Sequence, residues 1–213
     1  MAAGNGEFDG AFRQQLDSLM QWRRDVRRFR TDTVPAPLLQ ECLDAFLLAP
    51  SVGLSEPWRV VQVNSGAARQ AALSNYQAAN ERALDGYSGD KAQMYAGLKL
   101  SGMQEAPVQL AVFCDEETPK GSGLGAQSMP EMRRYSVVSA INLFWLSARA
   151  RGIGVGWVSI LDPEALCRDL DVPENWRLIA YLCVGYPETT SDTPELQKVG
   201  WEERRGHLPF ETR

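Results

Sequence analysis

Apolar positions Phe12, Leu16, Leu19 and Met20 recur at the spacing of an α-helix and predict a first amphipathic helix over about residues 9–22. Continued by one more turn, the same stripe carries Arg23 and Arg27 onto its apolar side, where unpaired charge is costly and an anion is needed. The segment TDTVPAP breaks this helix, and Pro37 suits the first turn of the next, LLQECLDAFLLA. Four short β-branched runs bounded by turn residues read as strands: RVVQV at 59–63, VQLAVFC at 108–114, GVGWVSI at 154–160 and LIAYLCVGY at 178–186. Between the first two lies a long polar-helical stretch, 66–106, with Tyr76, Tyr87 and Tyr95 spaced along it. Ahead of the third, YSVVSAINLFWLSARARG predicts a helix with almost no polar face, which belongs in a core or a subunit interface. These elements make an α+β fold, helices packed on a mainly antiparallel sheet, in a single domain over 1–213 with no internal repeat. The apolar helix adds the expectation of a dimer.

Composition narrows the chemistry. At 213 residues the chain can build one full core, and its net charge of −5 argues against a general nucleic-acid binder, so its basic cluster is a local feature. Cys42, Cys114, Cys167 and Cys183 form no CxxC pair, and His207 is the lone histidine. That set argues against a metal site and against a Ser–His or Cys–His catalytic machine, and reads as reduced buried thiols. The start, MAAGNGEFDG, has neither the basic nor the apolar region of a leader, and no run of about 18 apolar residues spans a membrane. The expectation is a cytoplasmic protein.

Three segments are candidates for a site. RRDVRRFR, residues 23–30, sets five arginines around Asp25. Cations favour a helix C-terminus, so a solvated helix end is one reading, with Asp25 paired to Arg28 or Arg24. A bound phosphate or carboxylate, held by the guanidinium fork, is the other. APSVGLSEPW, residues 49–58, is a rigid turn exposing Ser51; it is a plain loop, or a place where a flat ligand lies against Gly53. GIGVGWVS is not a dinucleotide fingerprint, because its glycines precede the strand. Gly152, Gly154 and Gly156 instead end the apolar helix and let the strand pass close to something flat. Ser159 is then a plain strand serine or a donor to a ligand.

Taken in order, RRDVRRF, APSVG…PW, YSVV, ARARGIGVGWVSIL and YLCVGYP resemble the nitroreductase-like flavoprotein superfamily, over about residues 10–205. They look most like its FMN-consuming branch. The superfamily's opening motif, Arg-Arg-Ser-x-Arg-x-Phe or Tyr, holds FMN; here the serine position is Asp25. The resemblance implies that the arginines neutralise the phosphate and the pyrimidine edge, while Asp25 delivers an acid or base to the flavin itself. It names Asp25 and Ser159 as catalytic, and Arg23, Arg24, Asp25, Val26, Arg27, Ser51, Gly53, Leu100, Ser159 and Arg204 or Arg205 as contacts to FMN. The implied reaction is oxygen-dependent fragmentation of reduced FMN, the substrate, to 5,6-dimethylbenzimidazole with release of erythrose 4-phosphate. Molecular oxygen is the co-substrate.

The resemblance further implies a homodimer with each FMN at the interface, a separate flavin reductase supplying FMNH2, and a lid over 66–106. Three positions depart from the pattern. Glu56 stands where a glutamine is usual, Asn142-Leu143 replaces a common Gln-Asn pair, and GHLPFETR after GWEERR is shorter than the usual tail. Two other readings stay open: an NAD(P)H-dependent nitroreductase or flavin reductase that recycles FMN, and a flavin-binding protein without catalysis.

Overall fold

All four expected strands form, and they make one antiparallel sheet in the order β1-β2-β4-β3. The computed structural model describes residues 6–213; residues 1–5, half of the start read above as leaderless, lie outside the described residues. The strands are β1 (Trp58–Gln62), β2 (Val108–Asp115), β3 (Gly154–Val158) and β4 (Trp176–Gly185). Every residue of β2 is buried, as its unbroken apolar run requires of a central strand covered on both faces.

One sheet face presents Val108, Leu110, Val112, Val155, Ala180, Leu182 and Val184 to α5 (Met132–Ala150), α2 (Ala36–Leu43) and the 3₁₀ turn Asp44–Leu48. The other packs Ala111, Phe113, Tyr181 and Cys183 against Phe29, Met103, α3 (Gly66–Leu84) and α6 (Pro163–Asp169). α5 is less enclosed than its composition predicts. Val137, Ala140, Ile141, Phe144 and Ala148 are fully buried, while Tyr135 and Val138 on the opposite side are 55% and 43% exposed. The first helix, α1 (Gly10–Trp22), is capped by Asp9 and buries none of its residues, so Phe12, Leu16 and Met20 line an uncovered apolar stripe.

The 66–106 excursion holds α3 and a short α4 (Gly89–Ala96), and its two roots are tied together. Arg69 donates to the carbonyls of Val63 and Pro107 at 3.0 and 2.6 Å. Buried Gln109 donates to the Met103 carbonyl at 2.6 Å and accepts from the Tyr181 hydroxyl at 2.5 Å. Among the described residues no helix is long and apolar enough to cross a membrane.

The helix expected to carry the arginines onward does not do so. α1 stops at Trp22, Arg23 turns extended at φ −71° and ψ 112°, and Asp25 pairs with Val155 as a parallel bridge on the open edge of β3. Phe29 then bridges Pro187 beyond β4. Gly152, at φ +76°, ends α5 as expected, while Gly154 and Gly156 serve this arm rather than a flat ligand: a Cβ on Gly156 would lie 2.0 Å from the Val26 carbonyl oxygen, and one on Gly154 2.9 Å from a Val26 methyl. Gly156→Ala must therefore push the arm off the sheet. It is expected to cost about 3 kcal/mol or more, read as a lowered urea midpoint of unfolding.

Candidate functional site

An extended chain alternates its side chains, and the arm uses both sides. Arg24 and Arg28 point toward the C-terminal segment. Arg24 donates to the Asp192 carbonyl from two nitrogens, at 2.8 and 2.5 Å, and Arg28 pairs with Glu195 at 2.6 Å. Asp25 and Arg27 point the other way, toward β3 and residues 99–105. One Asp25 oxygen, Oδ1, accepts the main-chain N–H of Trp157 at 2.8 Å, and the other, Oδ2, accepts Arg27 Nε at 2.8 Å. Arg27 also reaches the Lys99 carbonyl at 3.3 Å, and its side chain is only 14% exposed. The expected partner of Asp25, Arg28 or Arg24, is thus replaced by Arg27, because alternation sends those two arginines to the opposite side.

The remaining arginines are dispersed. Arg23 lies over the Trp145 ring at 4.8 Å, Arg149 lies over Trp22 at 5.8 Å, and Arg30 pairs with Asp32 at 2.7 Å. Burial first, then the guanidiniums of Arg204 and Arg23, push the Arg24 pKa down, with Asp192 acting in the opposite sense. Arg23, Arg24 and Arg204 therefore share one region, and Arg24 is held there mainly by carbonyl oxygens.

Two cavities flank the arm. The larger, about 290 Å³, lies among residues 24–28, Trp145, Arg149 and the segment Pro187–Val199. The smaller, about 210 Å³, is walled by Leu73, Tyr76, Lys99, Leu100 and Glu105, and Arg27 reaches its wall at the Lys99 carbonyl, while Asp25 itself lines the larger. Lys99 and Glu105 pair across it.

The chain brings together Arg23, Arg24, Asp25, Val26, Arg27 and Arg204, with Leu100 next to the Lys99 carbonyl that Arg27 grips. Ser159 falls just past the end of β3, exposed, two residues beyond Trp157. Arg205 is exposed, and no ion pair or hydrogen bond holds it among the described residues.

Ser51 and Gly53 lie elsewhere. The Val52 N–H next to them donates to Ser136 Oγ near the start of α5 at 3.0 Å, whereas Arg23 stacks on Trp145, about 13 Å further along that helix. Ser51 Oγ accepts the Glu56 N–H at 3.1 Å, and Gly53, at φ +58°, is approached by the Gly121 and Leu124 carbonyls, not left open to a flat ligand. Glu56 itself pairs with Lys120, and of the Asn142-Leu143 pair Asn142 is exposed while Leu143 packs on the core. Sequence reasoning missed the Trp157 N–H, a main-chain group with no side-chain signature, and the Trp145 platform under Arg23, which periodicity assigns to the core.

The arrangement sets the Asp25 carboxylate among guanidiniums, paired with Arg27. It offers no activated thiol: burial pushes Cys114 and Cys183 up to about 12 and raises Cys42. At pH 8 these three thiols are expected to resist iodoacetamide in the native protein, leaving half-buried Cys167 to label first by peptide mass spectrometry. The Asp25 contacts also separate anchoring from chemistry. Asp25→Asn keeps an acceptor for the Trp157 N–H and loses only the pairing with Arg27, so it should lose less by urea unfolding than Asp25→Ala, which strands both donors and should lose about 1–3 kcal/mol.

The pattern of the Nitroreductase family matches residues 20–186. A 5,6-dimethylbenzimidazole synthase of Rhodospirillum rubrum is 52% identical over 200 residues, covering 94% of this chain and 95% of that one. Another, from Rhodobacter capsulatus, is 44% identical with 96% and 97% covered. Among solved structures, an oxidised iodotyrosine deiodinase bound to FMN and 3-iodo-L-tyrosine superposes with a TM-score of 0.74 at 21% identity, over 93% of this chain and all of that one. This chain, with its antiparallel sheet edged by an arginine arm that carries Asp25, belongs to the nitroreductase family, in its branch of 5,6-dimethylbenzimidazole synthases.

Proposed function

We propose that this enzyme fragments reduced FMN with molecular oxygen to 5,6-dimethylbenzimidazole, the lower ligand of vitamin B12, releasing erythrose 4-phosphate. One observation carries the reading: Asp25 is a carboxylate held in place among guanidiniums by the Trp157 N–H and Arg27. The close relatives named for this synthesis support it.

The residues present fit an FMN. A phosphate dianion suits the region shared by Arg23, Arg24 and Arg204, where the cations repel one another. The guanidinium of Arg27 and the walls at Val26 and Leu100 suit a ring with a polar edge. Bound reduced FMN would supply both the carbon skeleton of the product and electrons for oxygen. Asp25 Oδ1 is committed to Trp157, so Oδ2 is the oxygen that takes up or gives back a proton near the ribityl chain. Swinging Arg27 from Oδ2 to the flavin edge would free it. Ser159, unencumbered at the end of β3, would orient a ring atom or the oxygen-derived group. The 66–106 excursion would act as a lid that excludes water from the reacting atoms.

The same reading includes a homodimer. The uncovered stripe of Phe12, Leu16 and Met20 on α1 and the exposed Tyr135 and Val138 of α5 would meet a second copy. That copy could present its Ser51–Gly53 turn to the arm, which the turn cannot reach within one chain. A separate cytoplasmic flavin reductase would supply FMNH2.

Aerobic incubation of the purified protein with FMNH2 from an independent reductase is expected to yield 5,6-dimethylbenzimidazole by chromatography, with one FMN lost per product. Rapid NAD(P)H oxidation with FMN fully recovered would instead identify a conventional reductase. Unchanged flavin with no electron-donor activity would leave only a flavin-binding protein.

A further inference from the structure

Beyond β4 the chain returns along the arm before reaching Arg204. The Glu188 N–H donates to the Arg28 carbonyl at 3.1 Å, Arg24 and Arg28 hold residues 192 and 195, and the short helix α7 (Glu195–Lys198) follows. The next turn throws out Trp201, whose ring meets the 66–106 excursion. Tyr87 lies 5.5 Å from it edge-on at 79°, and Tyr95 lies 6.3 Å away. These two tyrosines stack on each other at 4.9 Å. The Lys91 ammonium sits 4.4 Å from the Trp201 ring centroid and donates to the Trp201 carbonyl at 2.9 Å, so one lysine grips both ring and backbone. Tyr95 passes the contact to α3 through its hydroxyl, 2.8 Å from Asn80 Oδ1.

α4 has little else to hold it. It is eight residues long and buries only Tyr95, and a helix of that length is marginal without tertiary packing. Trp201 supplies that packing. It also stands three residues before Arg204, at most about 10 Å of chain.

We propose that Trp201 is a positioning residue, latching lid helix α4 to the segment that presents Arg204, so that ordering the lid and presenting the phosphate-binding guanidinium are one event. This rests on the reading of Arg204 as a ligand of the FMN phosphate. Phosphate capture would then close the lid through Trp201, the residue that both Lys91 and Tyr95 hold.

Hydrogen exchange of residues 89–96 in the full-length protein, with and without oxidised FMN, tests it alongside FMN affinity from flavin fluorescence. Without FMN, Trp201→Ala and Lys91→Met should each speed exchange in α4, while Trp201→Phe should not. With FMN, wild type and Trp201→Phe should gain protection in α4 and Trp201→Ala should not. FMN affinity should fall about tenfold in Trp201→Ala and in Arg204→Ala, and no further in the double variant. Unchanged α4 exchange in flavin-free Trp201→Ala overturns the latch whatever FMN does. FMN-induced protection that survives in Trp201→Ala, or losses that add in the double variant, overturn the coupling. Failure of wild type to bind FMN would defeat the functional reading and the coupling together, while the flavin-free comparison still decides whether Trp201 holds α4.

Discussion

The hydrogen bond from the Trp157 N–H to Asp25 Oδ1 organises the site. β3 is an edge strand, and an edge strand exposes N–H groups that need partners. Here the Asp25 carboxylate supplies one partner, and the adjacent Val26 N–H returns a bond to the Val155 carbonyl at 3.1 Å. The arm can lie this close only because Gly154 and Gly156 carry no Cβ. Once the arm is extended along β3, alternation decides the rest. Arg24 and Arg28 fasten the C-terminal segment, while Asp25 and Arg27 face the chain at 99–105. A serine would be a shorter, neutral anchor at this position. Aspartate anchors the arm through one oxygen and pairs with Arg27 through the other, the oxygen to which the proposed reaction assigns the proton.

That division explains how a chain of net charge −5 tolerates so many neighbouring arginines. Arg27 and Arg28 are neutralised by carboxylates, Arg23 spreads over an indole, and Arg24 rests on a carbonyl. The unmatched charge is concentrated where Arg23, Arg24 and Arg204 approach one another. Such a place is favourable for a phosphate and costly to leave without one.

Much of the fold was legible in the chain. The four β-branched runs became the four strands, the helices expected over 9–22 and 135–152 formed close to those bounds, and the one expected over 37–49 formed as α2 followed by the 3₁₀ turn Asp44–Leu48. The reading failed where local pattern gave way to tertiary pairing. The stripe through Arg23 and Arg27 has helical spacing, yet an unpaired sheet edge captured that segment as extended chain. The glycines of GIGVG were read correctly as room for a close approach, but the visitor is Val26. Charge alone leaves the arginine arm open between a solvated helix end and an anion site, and only the resemblance names Asp25, Ser159 and Arg204 as site residues. The contacts that position them, a main-chain N–H, a carbonyl and the ring of Trp201, leave no mark in a motif.

Asp25 is fixed by the fold through the Trp157 N–H, and the proposed reaction depends on its charge. The most direct test of that dependence is a single-turnover experiment in which Asp25→Asn, loaded with reduced FMN, is mixed with oxygenated buffer. This variant is expected to bind FMN within about threefold of wild type, since the anchor to Trp157 survives, yet to form no 5,6-dimethylbenzimidazole and return its FMN intact. Benzimidazole formed at the wild-type rate would contradict it, leaving Asp25 a structural peg on the edge of the sheet.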